Sequence, residues 1–168
     1  MRLVVTGENA EGRSVVAYDG GVAETELCGP RVQACFLWGR DDIARLPEPG
    51  ERPALTEFMP PPGGCRFSTL SIAPGASGDY HSFIVRALGE LAEPHSPGFH
   101  KTPTIDFIYV ISGTFTLELD SNQQRILLEG ESAVLHGNRH RWHNSSDTTA
   151  KLLAVSVGAM PATTSEAI

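Results

Sequence analysis

Residues Gly98–Asn144 read GFHKTPTIDFIYVISGTFTLELDSNQQRILLEGESAVLHGNRHRWHN. Short apolar runs in this stretch alternate with tight turns such as Ser112-Gly113, a pattern that predicts consecutive antiparallel strands. His100 and Asp106 lie near its beginning, and His140 lies near its end. Because such a chain folds back on itself, we expect these three polar side chains to point into one apolar barrel.

The strand that carries Asp106 is the most informative part of this stretch. Residues 105–111 are nearly all apolar, which is typical of a strand buried on both faces. The period of two places Asp106 on the same face as Ile108 and Val110. An ionised carboxylate left unpaired there would cost several kcal/mol, so Asp106 should have a cation or strong hydrogen-bond donors. The alternative is a carboxylate that caps a backbone turn near Thr104.

Two histidines are the candidate partners of Asp106. Thr102-Pro103 keeps the segment after His100 extended, so the His100 side chain can face the same interior. Strand alternation after the Gly137-Asn138 turn sends His140 inward as well. Two imidazoles and one carboxylate suit divalent iron, manganese, nickel or zinc. Taken singly, each histidine is more commonly a surface or hydrogen-bonding residue.

Across the whole chain, 17 glycines and 12 prolines separate strand-length pieces. Early strands are predicted over 3–6, 14–18, 24–28 and 34–38, followed by a proline-rich strap over 47–64 and a strand over 65–72. Apolar spacing predicts one helix over 82–91, with Ser82 as its N-cap. The favoured position for this helix is the outside of the barrel, and the alternative is a cover over its mouth. Many short strands at regular spacing indicate an all-β antiparallel barrel or sandwich.

Bulk composition excludes several classes of protein. The 168 residues suffice for a single domain, and the formal charge of −7, without a basic cluster, argues against nucleic acid and anionic membranes as partners. No apolar run is long enough to span a bilayer. The three cysteines form no CxxC pair, so a disulfide framework is not expected and a reducing cytoplasm is the predicted location.

The stretch resembles the cupin superfamily, and more narrowly its small single-domain cupin-2 members. The first cupin motif is G-x5-H-x-H-x3,4-E-x6-G, in which His100, Asp106 and Gly113 match the first His, the Glu position and the last Gly. The second is G-x5-P-x-G-x2-H-x3-N, whose end matches Gly137, His140 and Asn144; Gly130 would be its opening Gly. The resemblance implies a jelly-roll barrel, the double-stranded β-helix, with an N-terminal strand extension and one short helix. We divide the chain into N-terminal strands and strap (1–64), barrel (65–159) and tail (160–168).

The motifs also depart from the usual pattern. Thr102 stands where the second His would be, Asp106 replaces Glu, and Leu135 replaces the Pro of the second motif. A standard site of three His and one Glu would here be reduced to His100, Asp106 and His140. This set is either a facial triad with open positions or a site that has lost its metal.

The resemblance implies a homodimeric metal-dependent enzyme that acts on a small oxygenated organic molecule. The metal would serve as a Lewis acid for decarboxylation, carbon–oxygen cleavage or isomerisation, in polyketide or aromatic metabolism. Asp106, His140, His136 and Thr102 are the expected catalytic groups, the last two as proton handlers. Three alternatives stay open: a non-haem iron dioxygenase at the same triad, a metal-free ligand-binding or sensing module, and metal-free acid/base catalysis by Asp106 and His140.

Overall fold

The computed structural model describes residues 1–26 and 29–161. Antiparallel strands dominate it, which confirms the predicted all-β class. They form a two-stranded hairpin (β1-β2), a three-stranded sheet in the order β10-β7-β8 and a six-stranded sheet in the order β3-β4-β5-β11-β6-β9. The strands are β1 (Arg2–Glu8), β2 (Ser14–Gly21), β3 (Thr25–Glu26), β4 (Val32–Arg40), β5 (Cys65–Ile72), β6 (Thr104–Ser112), β7 (Phe115–Glu118), β8 (Gln124–Leu127), β9 (Ser132–His136), β10 (Arg141–Asn144) and β11 (Ala150–Gly158).

The core lies between the two larger sheets. Ile108 and Val110 of β6 and Leu152 of β11 pack from the six-stranded sheet against Phe115 of β7 and Trp142 of β10. As far as the described residues show, the ladders of these sheets do not join into one closed ring. Side-chain packing therefore joins the sheets into the sandwich that encloses the interior.

The N-terminal strands appear where the sequence predicts them, with longer bounds for β1, β2 and β4. The predicted strand 24–28 is observed as the short β3, and its last two residues lie outside the described part of the chain. Cys35 and Cys65 are free thiols, as expected. Cys28 lies outside the described residues.

Strand β6 differs from the prediction that both of its faces are buried. Asp106 and Ile108 face the core, whereas Phe107 and Tyr109 on the other face are 49% and 46% exposed. The sequence misled because a run of apolar residues is compatible with either burial pattern when the outer face has no covering layer. Only the inward alternation predicted for Asp106 is correct.

The helix α1 (Ser77–Leu88) begins earlier than predicted and is followed by a 3₁₀ turn (Gly89–Leu91). Its N-cap is Ala76 and not Ser82, whose hydroxyl donates to the Gly78 carbonyl inside the helix. The buried face comprises Tyr80, Phe83, Ile84 and Leu88, all of which line the central cavity. The helix therefore closes the cavity, in contrast to the favoured prediction of a helix outside the barrel. No helix in residues 1–26 and 29–161 is long and apolar enough to cross a membrane.

A second closure of the cavity comes from the proline-rich strap. Its residues Phe58 and Met59 line the cavity, and Arg66 on β5 holds the strap in place. The Arg66 guanidinium, whose side chain is 3% exposed, donates to the carbonyl oxygens of Glu57 and Phe58 and to Asp41 Oδ1 at 2.5 Å. A buried cation with this many acceptors is fully paired, so it stabilises the strap in one position.

Replacing Arg66 by Met should lower the free energy of unfolding by about 3 kcal/mol, because strap carbonyls and the Asp41 carboxylate lose their donor. Urea denaturation followed by tryptophan fluorescence measures the change. Arg2→Met is the matched control, since Arg2 pairs with Asp19 on the surface and its loss should leave the unfolding free energy nearly unchanged. Equal destabilisation by the two substitutions would contradict the role given to Arg66.

Candidate functional site

A cavity of about 110 Å³ lies inside the sandwich beneath α1 and the strap. Most of its wall is apolar, including Phe36, Phe58, Met59, Phe83, Leu135 and Trp142. The polar side chains at its wall include His100, Thr102, Asp106 and His140. The fold therefore brings both predicted histidines and the predicted aspartate to one concave, mostly apolar space, as expected for a small-molecule site.

His100 and His140 are direct neighbours across two extended segments. The backbone N–H of each residue donates to the carbonyl of the other, both at 3.0 Å. Opposite residues in an antiparallel pair project to the same side, and the two ring centroids are 4.3 Å apart. Gly137 (φ 67°) permits this approach, because a Cβ there would lie 2.8 Å from the Thr102 carbonyl oxygen.

Both imidazoles are held as the neutral tautomer with the proton on Nδ1. His100 Nδ1 lies 3.0 Å from the Gly98 carbonyl, and His140 Nδ1 lies 2.8 Å from the Asn138 carbonyl. A carbonyl oxygen only accepts, so each Nδ1 must donate. Burial, and the neighbouring His140, lower the pKa of His100 to about 3, and burial lowers the pKa of His140 as well. Each Nε2 therefore carries a free lone pair at neutral pH.

The two Nε2 atoms border the cavity. Neither has a hydrogen-bond partner among the described residues. In the same part of the chain, every side-chain nitrogen or oxygen that is fully buried has a hydrogen-bond partner, so an atom without a partner must border open space. Since both residues are 95% or more buried and line the cavity, the space that their Nε2 atoms reach is the cavity itself.

Asp106 is held by two threonine hydroxyls on its own segment. Thr102 Oγ1 donates to Oδ2, and Thr104 Oγ1 lies 3.0 Å from both carboxylate oxygens. These donors satisfy the requirement that a carboxylate 5% exposed must be hydrogen-bonded. Thr102, which occupies the position of a cupin histidine, is thus a donor to the carboxylate.

The imidazole pair fits a divalent metal, and the predicted three-residue set does not assemble. A neutral histidine whose Nδ1–H is bound to a carbonyl and whose Nε2 is free is the usual form of a metal ligand. Within residues 1–26 and 29–161, however, no three His, Cys, Asp or Glu side chains converge closely enough to hold an ion. His100 and His140 would therefore provide two nitrogen ligands, while Asp106 stays hydrogen-bonded to Thr102 and Thr104.

Arginines on both sides of His140 fasten the histidine segments together. The guanidinium carbons of Arg139 and Arg141 lie 3.6 and 4.6 Å from the centroid of the Phe99 ring, next to His100. Arg139 also forms a bidentate pair with Glu93 at 2.7 Å. These contacts involve the residues adjacent to each histidine, so they hold the pair in register. Neither arginine lines the cavity.

Glu118 on β7 is the hydrogen-bond acceptor that holds the side chains of Arg141 and His143 on β10. Its Oε2 accepts from Arg141 Nη2 at 2.9 Å, from Gln124 at 3.0 Å and lies 3.2 Å from His143 Nε2. Burial opposes ionisation of this carboxyl, but hydrogen bonds from Arg141, His143 and Gln124 outweigh burial and hold the pKa of Glu118 below its usual value.

His136 is the predicted site residue that the fold takes away from the cavity. It pairs with Ile105 across β9 and β6, is exposed, and is not part of the cavity wall. Register explains the error: Leu135 is buried, so period two turns His136 to the outer face. His136 is therefore not a proton handler for a molecule in this cavity.

Sequence reasoning missed two residues of α1 near the site. Tyr80 is 3% exposed and lines the cavity, with its ring centroid 6.4 Å from that of His100. His81 Nδ1 accepts a hydrogen bond from the Gly98 N–H, and the Gly98 carbonyl in turn accepts from His100. Burial raises the pKa of Tyr80. The apolar spacing of Tyr80, Phe83, Ile84 and Leu88 is the signal that could have identified this helix face.

Comparison with known proteins finds a family match over part of the chain. The family described as "Cupin domain" (Cupin_2) matches residues 88–156. Oryzines biosynthesis cluster protein J of Aspergillus oryzae is 38% identical over 66 residues, which are 39% of this chain and 37% of that protein. The cupin-domain-containing oxidoreductase virC of Hypocrea virens is 40% identical over 45 residues, 27% of this chain and 23% of that protein. The matches thus span about a third of these relatives or less.

Solved structures agree on the fold. The cupin domain of Cnp3 from Schizosaccharomyces pombe aligns with a TM-score of 0.53 over 94% of this chain and 87% of that chain, at 8% sequence identity. At this identity the likeness concerns the fold alone.

The pKa of Glu118 predicts a pH dependence of stability. Because the folded-state pKa lies below the ordinary value of 4.5, the ionised carboxylate stabilises the fold above that value, and this stabilisation is lost as the pH falls through the folded pKa. Glu118→Gln should therefore be clearly less stable than wild type at pH 6, with the difference shrinking toward pH 3. Urea unfolding at several pH values measures it, with the exposed Glu129→Gln as control; a difference that grows toward acid pH would contradict the assignment.

Proposed function

We propose that this chain, whose residues 88–156 match the cupin domain family, is a metal-dependent enzyme acting on a small oxygenated organic molecule. The observation that supports this most is the His100–His140 pair, whose two free Nε2 atoms face a mostly apolar cavity. Decarboxylation, carbon–oxygen cleavage and isomerisation are the proposed reaction types. The proposed enzyme is a cytoplasmic homodimer, as expected from the sequence.

His100 and His140 would hold the metal. When bound, a divalent metal supplies Lewis-acid polarisation of a substrate carbonyl or carboxylate. Carbonyl acceptors at Gly98 and Asn138 keep each Nδ1 protonated and each ring oriented, so both lone pairs are directed without rearrangement.

Asp106 would move the proton. Its carboxylate lies in the cavity wall and is oriented by Thr102 and Thr104, so it can accept a proton from a carbon or hydroxyl next to the polarised group. The hydroxyls that donate to Asp106 fix the direction of its oxygens. Of the predicted proton handlers, Thr102 would therefore act through Asp106.

Exclusion of water is the role of the strap and α1. Phe58 and Met59 on the strap, with Phe83 and Ile84 on α1, cover the cavity with apolar surface. In such a site the electrostatic effect of each polar group on a bound molecule is stronger than in water.

An oxidoreductase reaction at the same pair is the second candidate. Two relatives, virC of Hypocrea virens and srdD of Neurospora crassa, are named cupin-domain-containing oxidoreductases, and their matches cover 23% and 31% of those proteins. Three other relatives are named as proteins of the oryzines and phomopsin biosynthesis clusters, which supports a role in secondary metabolism. Ferrous iron held by two histidines would suit oxygen-dependent chemistry.

Metal content distinguishes these proposals from metal-free function. Mass spectrometry of untagged protein should find near-stoichiometric divalent metal that is lost in His100→Ala and in His140→Ala. Asp106→Asn should keep its metal, since the carboxylate is bound to threonines, while losing turnover. His95→Ala, at an exposed histidine, is the control and should retain metal.

Absence of metal from wild type, even after incubation with ferrous iron, would overturn the metal-dependent mechanism and favour acid/base catalysis by Asp106 and His140 or simple ligand binding. Loss of metal in Asp106→Asn would restore the three-residue ligand set. Oxygen uptake by the iron-loaded protein in the presence of substrate separates the oxidoreductase from the lyase or isomerase.

A further inference from the structure

Tyr80 carries a hydroxyl that the fold buries without a protein partner. The residue is 3% exposed, and its hydroxyl has no hydrogen bond to any described residue. In the described part of the chain, every fully buried side-chain oxygen has a hydrogen-bond partner. The Tyr80 hydroxyl has none, so it must border open space. The space available to so buried a side chain is the cavity that it lines. Buried tyrosine hydroxyls normally find a partner, and here a bound molecule can provide it.

The ring of Tyr80 is fixed beside the imidazole pair. Its centroid lies 6.2 Å from that of Phe83 and 6.4 Å from that of His100, in tilted and edge-on arrangements. Gly98 also lies close to the ring, where a Cβ would be 3.5 Å from Tyr80 Cδ1. Packing against Phe83, His100 and Gly98 leaves the phenol little freedom, so its hydroxyl is a preorganised donor.

The charges and size of the cavity restrict the kind of ligand to which the hydroxyl can donate. Among the described residues the wall contains no Lys or Arg, and Asp106 is its one carboxylate. Without a bound metal, an anionic ligand would be buried with no cation and beside a like charge, which costs several kcal/mol. A volume of about 110 Å³ is somewhat smaller than the roughly 150 Å³ that accommodates benzene in an engineered protein cavity.

We infer that the Tyr80 hydroxyl donates a hydrogen bond to a carbonyl or hydroxyl oxygen of a small, uncharged, mostly apolar ligand, for which a five-membered ring is a suitable test size. Phe83, Ile84 and the strap residue Phe58 contact the apolar part of that ligand. The inference names an uncharged substrate class for the proposed enzyme, which selects carbon–oxygen cleavage or isomerisation over decarboxylation, and it rests on that function only for the use of the cavity. Recognition by Tyr80 needs no metal, so it can be tested separately.

The probes are cyclopentanone and methylenecyclopentane, which have nearly the same shape but differ in the acceptor oxygen. Both are titrated by NMR into the chelator-treated full-length protein. Wild type should bind the ketone about fivefold more tightly, as expected for one neutral hydrogen bond. Tyr80→Phe should remove this preference by weakening ketone binding alone. Tyr109→Phe, at an exposed tyrosine of β6, is the matched control and should behave as wild type.

A second readout does not depend on the folding of the Tyr80 variant. The chain has three tyrosines, so protein labelled with ¹³Cζ-tyrosine gives three signals, which Tyr18→Phe and Tyr109→Phe assign by elimination. The Tyr80 signal should shift with cyclopentanone and much less with methylenecyclopentane.

Three results would overturn the inference. They are a ketone preference that survives in Tyr80→Phe, no binding of either probe to wild type, and binding of cyclopentanecarboxylate as tight as that of cyclopentanone. Each of these leaves the metal-content result unaffected. Conversely, a metal-free protein that binds the ketone through Tyr80 would keep this inference and overturn only the metal-dependent mechanism.

Discussion

Two backbone hydrogen bonds between His100 and His140 are the constraint on which the site depends. They join the loop before β6, a strand of the six-stranded sheet, to the residue directly before β10, a strand of the three-stranded sheet. Because directly opposed residues of an antiparallel pair project the same way, this single bridge places both imidazoles side by side. Loss of the bridge would separate the histidines whatever their own side-chain contacts.

Charged groups outside the cavity maintain that bridge without entering it. Arg139 and Arg141 stack on Phe99, and Glu93 and Glu118 accept from the two guanidiniums. The arginines that flank His140 thus hold Phe99, the residue before His100. These four charged side chains lie outside the cavity wall, and burial keeps the two imidazoles neutral.

Closure of the cavity uses parts of the chain that lie outside the matched cupin motifs. The strap is held by Arg66, and α1 is held at the histidine loop through His81 and Gly98. Together these segments contribute most of the aromatic cover and the Tyr80 hydroxyl. Motif residues therefore supply the reactive groups, while the segments before them determine the size and polarity of the space in which a ligand is held.

The sequence by itself determined the all-β class, the strand positions and the inward direction of Asp106, because the alternation of side chains and the positions of glycine and proline are local properties. It also predicted, from strand alternation and motif spacing, that His100 and His140 face one interior, and both line the cavity. It did not determine the outer face of β6, the start of α1 or the direction of His136, since each depends on which surface another element covers.

Only the tertiary structure decided that Asp106 accepts hydrogen bonds from Thr102 and Thr104, that His136 faces outward and that Tyr80 borders the cavity. The physical reason is that hydrogen-bond partners and burial arise from contacts between distant segments, which spacing along the chain does not specify.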